Sequence, residues 1–273
     1  MLMGTALDIE VEAANRPAAL AASERAVEAL EAAEARLSTW RDDTELARLN
    51  RTPVGEPMPL SPALSRDLQA ARHCWEETGG AFDPGVGALV RAWGLRTGGR
   101  IPDESELRTA QGVSALRALK KNGVARASLD LGGQVAVLGG GWEIPVADPR
   151  RRDRSVVALT IDGGSVSTSG NSEHGFEIAG KRYGHILDPR TGHPAQDFGS
   201  LTVWTADPLR ADCLSTGLYV LGPERALAWA AEHPGVEVLV LRTDGDRLRA
   251  LASPGLRGRL KTMDSEMEIK FER

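Results

Sequence analysis

The pattern of apolar and polar residues predicts one strand and two helices in the first 80 residues of the chain. Leu7–Ala13 alternates strictly, which is typical of a half-buried strand. Arg16–Leu37 is rich in Ala, Glu and Arg, with apolar residues at helical spacing and a proline in its first turn. A second helix is predicted over residues 61–77, because Gly79 and Gly80 follow it as a stop signal.

The pattern changes after residue 120, where short β-rich segments separated by Gly, Asp and Pro take over. Two more helices are predicted before that point, Val86–Trp93 and one that runs from Ser105 or Thr109 to Lys121. The predicted strands are Ala127–Leu138, Trp142–Val146, Val156–Ile161, Ser165–Ser167, Tyr183–Leu187, Leu201–Thr205 and Val236–Leu241. Helices are predicted at Pro208–Leu221 and Ala226–Glu232. This segregation of helices and strands favours an α+β fold over a regular βαβ repeat.

Composition narrows the class of protein further. The chain has 273 residues, which suits a single domain over residues 1–250 with a polar C-terminal tail at 251–273. The net charge of −5 argues against binding to nucleic acid or to a membrane surface. We see no signal peptide and no apolar run of membrane-spanning length, so the sequence as it stands predicts a cytoplasmic protein. Cys74 and Cys213 match no metal-ligand spacing and are expected to be small buried residues.

The segment from Ala211 to Gly217 holds the most informative spacing. If it is helical, Asp212, Ser215 and Thr216 share one face within a single turn. A carboxylate beside hydroxyl and carbonyl oxygens is a suitable site for a hard cation such as Mg²⁺. The alternative is that the two hydroxyls bond back to carbonyls one turn earlier.

A second candidate is His185, in the segment Gly184–Gly192. The residue stands where a predicted strand meets a turn that Asp188 and Pro189 begin. Imidazole titrates near neutral pH, so His185 is a candidate general base, although a single histidine is often structural.

Two further segments offer polar groups to a ligand. The small residues of Gly80–Gly87 would let the backbone approach a ligand, and Asp83 adds a carboxylate or, alternatively, caps a helix before Pro84. Thr168–Asn171 could present hydroxyl and N–H groups to a phosphate or form a plain turn. The glycine pairs and triplets elsewhere match neither a Rossmann fingerprint nor a P-loop.

The order of the motifs along the chain resembles the FAD:protein FMN transferase family, the ApbE-like flavin transferases. The motifs are Met3-Gly4-Thr5, Leu37–Trp40, Phe82-Asp83-Pro84, Trp93-Gly94, Trp142, Asp148-Pro149, Thr168-Ser169-Gly170, His185–Gly192, and Ala211-Asp212 with Thr216-Gly217. The resemblance covers roughly residues 3 to 250, and the last two motifs are its most specific parts.

The resemblance implies an α+β, T-fold-like architecture, with a helical N-terminal part packed against an antiparallel β-rich C-terminal part. It also implies a Mg²⁺-dependent enzyme that cleaves FAD, transfers FMN to a Thr or Ser hydroxyl of an acceptor flavoprotein and releases AMP. Family members are often exported. By motif, the implied flavin-site residues are Met3, Trp40, Ala81, Phe82, Asp83 and Leu187. Asp212, Ser215 and Thr216 would hold the metal, and His185 would deprotonate the acceptor hydroxyl.

One stretch departs from the family pattern. The family carries an Asp-Leu-Gly-containing stretch ahead of a helix, and its best remnant here is Thr109–Gly112. Because the segment between Trp93 and Ala110 is also short, we interpret the difference as a local deletion before residue 110. The missing stretch supplies an FAD contact and a metal-binding backbone oxygen in the family. Two alternatives therefore stay open: an FAD-binding module without turnover, or an FAD pyrophosphatase that gives FMN and AMP.

Overall fold

A computed structural model gives the fold for most of the chain. It describes residues 7–38, 41–53, 56–85, 124–130, 132–171, 175–178, 181–245, 247–264 and 267–272. Two predicted flavin-site residues, Met3 and Trp40, lie outside these ranges. So do the two helices predicted between residues 86 and 121, and the deletion predicted before residue 110.

Side-chain caps mark where the helices of the first part begin. Strand β1 is Asp8–Glu12, and the helices are α1 (Arg16–Leu37), α2 (Glu45–Arg51) and α3 (Pro62–Glu77). The Asn15 side chain accepts from the Ala18 amide at the start of α1, and Ser61 accepts from the Leu64 amide at the start of α3. The predicted bounds of α1 and α3 are confirmed, whereas α2 had no predicted counterpart.

The rest of the described chain is dominated by strands. They are β2 (Arg126–Asp130), β3 (Gln134–Leu138), β4 (Trp142–Asp148), β5 (Arg151–Ile161), β6 (Gly164–Gly170), β7 (Gly175–Ile178), β8 (Lys181–Gly184), β9 (Leu187–Asp188), β10 (His193–Pro194), β11 (Gly199–Thr205), β12 (Val236–Asp244), β13 (Arg247–Ala252), β14 (Leu260–Thr262) and β15 (Ile269–Phe271). Helices α4 (Pro208–Leu221) and α5 (Pro223–Glu232) lie between β11 and β12, and Pro254–Leu256 forms a short 3₁₀ turn.

An eight-stranded sheet organises these elements in the order β1-β2-β3-β6-β11-β12-β13-β15. All of its pairings are antiparallel except the one between β13 and β15. Strand β6 therefore lies inside the sheet, between β3 and β11, with Ser167 opposite Val203. A second sheet has the order β14-β5-β4.

The eight-stranded sheet is covered on both faces. On one face, helix α1 packs on β2 and β3, and helices α4 and α5 pack on β11 and β12. On the other face, the three-stranded sheet closes an apolar layer that includes Ile161 and Val166. Because side chains alternate along a strand, Ser165, Ser167 and Ser169 of β6 lie on the face opposite that of Val166.

The structure corrects two sequence predictions. Ala127–Leu138 is not one strand but the hairpin of β2 and β3, with Gly132 and Gly133 at positive φ angles of 67° and 101° between them. Residues 251–273 were predicted to form a polar tail, but β14 pairs with β5 and β15 pairs with β13. Strands β14 and β15 have only three residues each, which is too short for an alternation of apolar and polar residues to be detected. In the described part of the chain, no helix is long and apolar enough to cross a membrane.

Candidate functional site

Helix α4 packs against strand β6 and carries Asp212, Ser215 and Thr216. The turn that holds these three predicted metal ligands is called the cation turn below. Asp207 caps the helix by accepting from the Arg210 amide, Pro208 follows it, and Gly222 ends the helix at a φ of 88°. The predicted helical register is thereby confirmed, and Asp212 and Ser215 lie on the face that packs on β6.

The Asp212 carboxylate lies in a polar cluster between α4 and β6. Its Oδ1 atom accepts a hydrogen bond of 3.0 Å from the Ser167 hydroxyl, and the residue is 5% exposed. The Ser215 Oγ lies 2.9 Å from Ser169 Oγ and 3.2 Å from Ser167 Oγ. Thr216 Oγ1 lies 3.4 Å from Ser169 Oγ, and Thr216 is only partly buried. Ser167 has no local sequence signal, and it becomes recognisable as a neighbour of the predicted metal ligands only once β6 faces α4.

Ser215 is the most enclosed member of this cluster. Its hydroxyl donates to the Asp212 carbonyl at 2.9 Å, which is the back-bonding that the sequence offered as an alternative. The same oxygen also contacts two serines of β6, so the Ser215 hydroxyl both bonds back within α4 and belongs to the polar cluster. A cation bound by Ser215 would have to replace one of these contacts. Asp212, at 5% exposure, and the partly buried Thr216 are less enclosed than Ser215.

The predicted flavin segment packs against the same turn of α4. A Cβ atom built on Gly217 would lie 2.8 Å from Thr78 Cγ2 and 3.0 Å from Phe82 Cβ. Only a glycine therefore lets the 78–82 segment approach the helix this closely. The Thr78 hydroxyl accepts from the Phe82 amide and fixes the bend between them. Phe82 therefore contacts α4 at Gly217, the residue after Thr216, and Asp83 follows it in a partly exposed position.

His185 lies in a loop closed by the small hairpin of β9 and β10. The residue follows the end of β8 and is half-buried, while Leu187, the predicted flavin contact in β9, is buried. The hairpin turn is held by Asp188, which accepts from the Arg190 amide at 2.9 Å and pairs with the Arg190 guanidinium at 2.8 Å. That guanidinium holds the pKa of the Asp188 carboxyl below its usual value.

Asn171 connects the His185 loop to β6. The carboxamide oxygen accepts from the Ile186 amide at 3.2 Å, and the carboxamide nitrogen donates to the Ala195 carbonyl at 3.3 Å. Ser169, two residues earlier, contacts Ser215 and Thr216. Residues i and i+2 of a strand are about 6.6 Å apart. The cation turn and the His185 loop are therefore anchored at the same end of β6.

The donor set suits a hard cation that keeps other oxygen ligands. Among the described residues, no group of three or more His, Cys, Asp or Glu side chains could hold a metal ion. The cluster offers one carboxylate and the hydroxyls of Ser215 and Thr216. Mg²⁺ is commonly held by one or two carboxylates, with substrate phosphates and water completing its coordination. The residues present fit that ion and do not resemble a closed zinc site.

The comparisons with known proteins all indicate the same family. A model of the ApbE family matches residues 3–116 and 112–240. The two matched stretches overlap close to the position of the predicted deletion. A FAD:protein FMN transferase of Klebsiella pneumoniae (strain 342) is 30% identical, with 93% of this chain and 86% of the relative covered. One from Treponema pallidum (strain Nichols) is also 30% identical, with 99% and 90% covered.

Solved structures agree with the sequence relatives. The flavin transferase ApbE from Vibrio cholerae superimposes with a TM-score of 0.80 at 26% identity, covering 95% of this chain and 97% of that one. The apo form of the Pseudomonas stutzeri flavinyl transferase ApbE gives a TM-score of 0.78 at 26% identity, with 94% of each chain covered. Both similarities extend over nearly the whole chain, and they confirm the predicted α+β fold.

Proposed function

This chain belongs to the ApbE family, which makes it a flavin transferase, and we propose that it cleaves FAD and transfers FMN to a Thr or Ser hydroxyl of a protein acceptor. AMP is the second product. The observation that carries this proposal is the polar cluster between α4 and β6, where a buried carboxylate lies among hydroxyl groups. It adjoins both the Ala81–Asp83 segment and the strand end that anchors the His185 loop.

In this proposal Asp212, Ser215 and Thr216 would hold a Mg²⁺ ion. A bound divalent cation offsets the negative charge that develops on the phosphate oxygens when a pyrophosphate is attacked. Ser167 donates to Asp212 Oδ1, which fixes the orientation of the carboxylate and directs its other oxygen elsewhere. Held by Ser167, the Asp212 carboxylate would be one of the ligands of the cation.

The flavin half of FAD would lie along Ala81, Phe82, Asp83 and Leu187. Three of these, Ala81, Phe82 and Leu187, are buried. The first two belong to the segment that packs on Gly217, and Leu187 follows the loop that Asn171 anchors. Met3 and Trp40, outside the described residues, would complete the flavin site, with the Trp40 ring stacking on the flat ring system.

His185 acts as the general base in this scheme. An imidazole nitrogen takes the proton from the acceptor hydroxyl while that oxygen forms a bond to the FMN phosphorus. The bond between this phosphorus and the bridging oxygen breaks, and AMP leaves with that oxygen. A hydroxyl is a weak nucleophile at neutral pH, so this base is expected to contribute about 10²–10⁴-fold.

One assay separates this function from its two alternatives. The protein is incubated with FAD and Mg²⁺, with and without an acceptor protein that presents a threonine. Release of AMP only with acceptor supports transfer. Release of AMP without acceptor indicates a pyrophosphatase, and FAD that stays bound and intact indicates a binding module. The predicted deletion is the observation that keeps the binding module under test.

The role of His185 is tested by substitution. His185→Ala should slow transfer by at least about 10²-fold while FAD affinity, measured by flavin fluorescence, stays within about twofold. His73→Ala is the matched control, because His73 is exposed on α3 and pairs with Glu77. An equal loss of rate and of affinity in His185→Ala would assign the residue to binding instead.

A further inference from the structure

Building on the proposed function, in which His185 is the base, we propose that Asn171 is a positioning residue that holds the His185 loop in register with the cation turn. Asn171 directly follows β6 and is 2% exposed. None of the roles proposed above involves it. Its role follows from three contacts that its side chain makes with the loop on either side of the β9–β10 hairpin.

The first two contacts are hydrogen bonds to backbone groups. Ile186 and Ala195 face each other across the base of the loop, where the Ala195 amide donates to the Ile186 carbonyl at 2.8 Å. The Asn171 carboxamide joins the remaining groups of this pair: its oxygen accepts from the Ile186 amide and its nitrogen donates to the Ala195 carbonyl. The carboxamide thus makes the two hydrogen bonds that a backbone peptide group of a neighbouring strand would make, one as acceptor and one as donor.

The third contact is the close packing of Gly184 on the same carboxamide. A Cβ atom at position 184 would overlap Cγ, Oδ1 and Nδ2 of Asn171. The backbone just before His185 therefore approaches the carboxamide more closely than any other residue type allows. Contacts at residues 184 and 186 flank His185 on both sides, so Asn171 fixes the backbone from which the imidazole projects.

The position of Asn171 in the chain explains why this matters for the reaction. Ser169, two residues earlier in the same strand direction, contacts Ser215 and Thr216 of α4. Strand β6 lies in the interior of the sheet, where local opening is costly. It should therefore keep the distance between the cation turn and the His185 loop constant. A displacement of about 1 Å between reacting groups can reduce a rate by about 10²-fold.

The first test separates positioning from binding. Asn171→Ala is expected to lower kcat for FMN transfer by about 10- to 100-fold and to change the KM for FAD by less than about twofold. Ser253→Ala is the matched control, because it also removes a buried side-chain hydrogen bond to a backbone amide, that of Val238, two strands away from β6. Loss of kcat equal in both variants, or a KM that rises in proportion, would overturn the proposal.

The second test is a double-mutant cycle. Gly184→Ala alone is expected to displace the carboxamide and lower kcat about as much as Asn171→Ala does. In the double variant the added methyl occupies the space left by the carboxamide, so kcat should be no lower than in either single variant. Effects that multiply would show that the two residues act independently.

A readout that does not depend on chemistry keeps this inference distinct from the proposed function. Hydrogen exchange of the Ile186 amide should accelerate in Asn171→Ala, which removes the acceptor of that amide. The near-isosteric Asn171→Asp keeps an acceptor for it and loses only the donor to the Ala195 carbonyl, so the Ile186 amide should stay protected there. Unchanged protection of that amide in the folded Asn171→Ala variant contradicts the bridging role. If the unmodified protein releases no AMP under any condition, the proposed function fails, whereas the exchange result still reports on the bridge.

Discussion

The two faces of the eight-stranded sheet differ in chemistry at strand β6. Toward the helices, β6 presents Ser165, Ser167 and Ser169, and the last two contact the polar residues of α4. Toward the three-stranded sheet, the same strand contributes Val166 to an apolar layer. Because side chains alternate along a strand, one seven-residue segment serves both a reactive cluster and a stabilising core.

The polar cluster and the apolar layer are expected to contribute differently to stability and to turnover. A buried polar cluster stabilises little in net terms, because its hydrogen bonds mainly replace those made with water. An apolar layer gains free energy with every side chain removed from water. Substitutions in the polar cluster between α4 and β6 should therefore change turnover more than stability, and substitutions in the apolar layer on the other face should do the reverse.

The largest expected effect, and the sharpest test of this division, is at Asp212. Asp212→Ala should reduce Mg²⁺-stimulated AMP release by about 10³-fold, since a catalytic cation is worth several kcal/mol. The midpoint of thermal unfolding should change little. Asp207→Ala is the control on the same helix: it removes the cap and costs about 1 kcal/mol of stability but should keep turnover. Unchanged release in Asp212→Ala would refute the metal assignment.

The reverse behaviour is expected of Ile161, which is fully buried in the apolar layer. Ile161→Ala should lower the free energy of unfolding by about 2–5 kcal/mol, because it leaves a cavity. Denaturant titration measures this loss, and kcat per folded molecule at a temperature where the variant is native should remain within about twofold. A selective loss of kcat would mean that the two faces are coupled rather than separate.

A smaller effect is expected at Gly217, where the helix face meets the predicted flavin segment. Gly217→Ala places a methyl group against Thr78 and Phe82, so it should push this segment away and raise the KM for FAD by about 10-fold. Steady-state kinetics at varied FAD concentration measure it. Alanine otherwise favours a helix by about 1 kcal/mol over glycine. A more stable variant with an unchanged KM would show that the segment does not line the flavin site.

The smallest effect compares two Asp-Pro-Arg turns, one on each side of the sheet. The Arg150 and Arg190 guanidinium groups hold the pKa values of Asp148 and Asp188 below their usual range. Each carboxylate therefore contributes stability above the unfolded-state pKa of about 3.9, and loses it as pH falls through the lower folded-state pKa. The Asp148 side chain is 1% exposed and that of Asp188 is 14% exposed, so the first pair should contribute more.

The variants Asp148→Asn and Asp188→Asn test this ranking by urea unfolding at pH 7 and pH 3. At pH 7 we expect a loss of about 1–2 kcal/mol for Asp148→Asn and about 1 kcal/mol or less for Asp188→Asn. Both losses should shrink at pH 3. Losses that stay constant with pH would mean that the charge of these groups is irrelevant to stability.

Several elements could be predicted because their signals are local. The bounds of α1, α3 and α4 follow from caps, prolines and glycines within a few residues of each end. The helical register of 212–216 follows from the same signals. By contrast, α2 and the strands β14 and β15 are too short for a periodic pattern, and the two strands exist because β5 and β13 offer partners.

The fold class, the family and the helical turn that carries Asp212 and Thr216 follow from the order and spacing of residues along the chain. The contacts of Ser167 with Asp212 and of Asn171 with the His185 loop are visible only in the folded molecule. Those contacts join residues 45 and 15 positions apart. No local pattern encodes such pairs, because the packing of α4 on β6 and of the loop on the strand end brings them together.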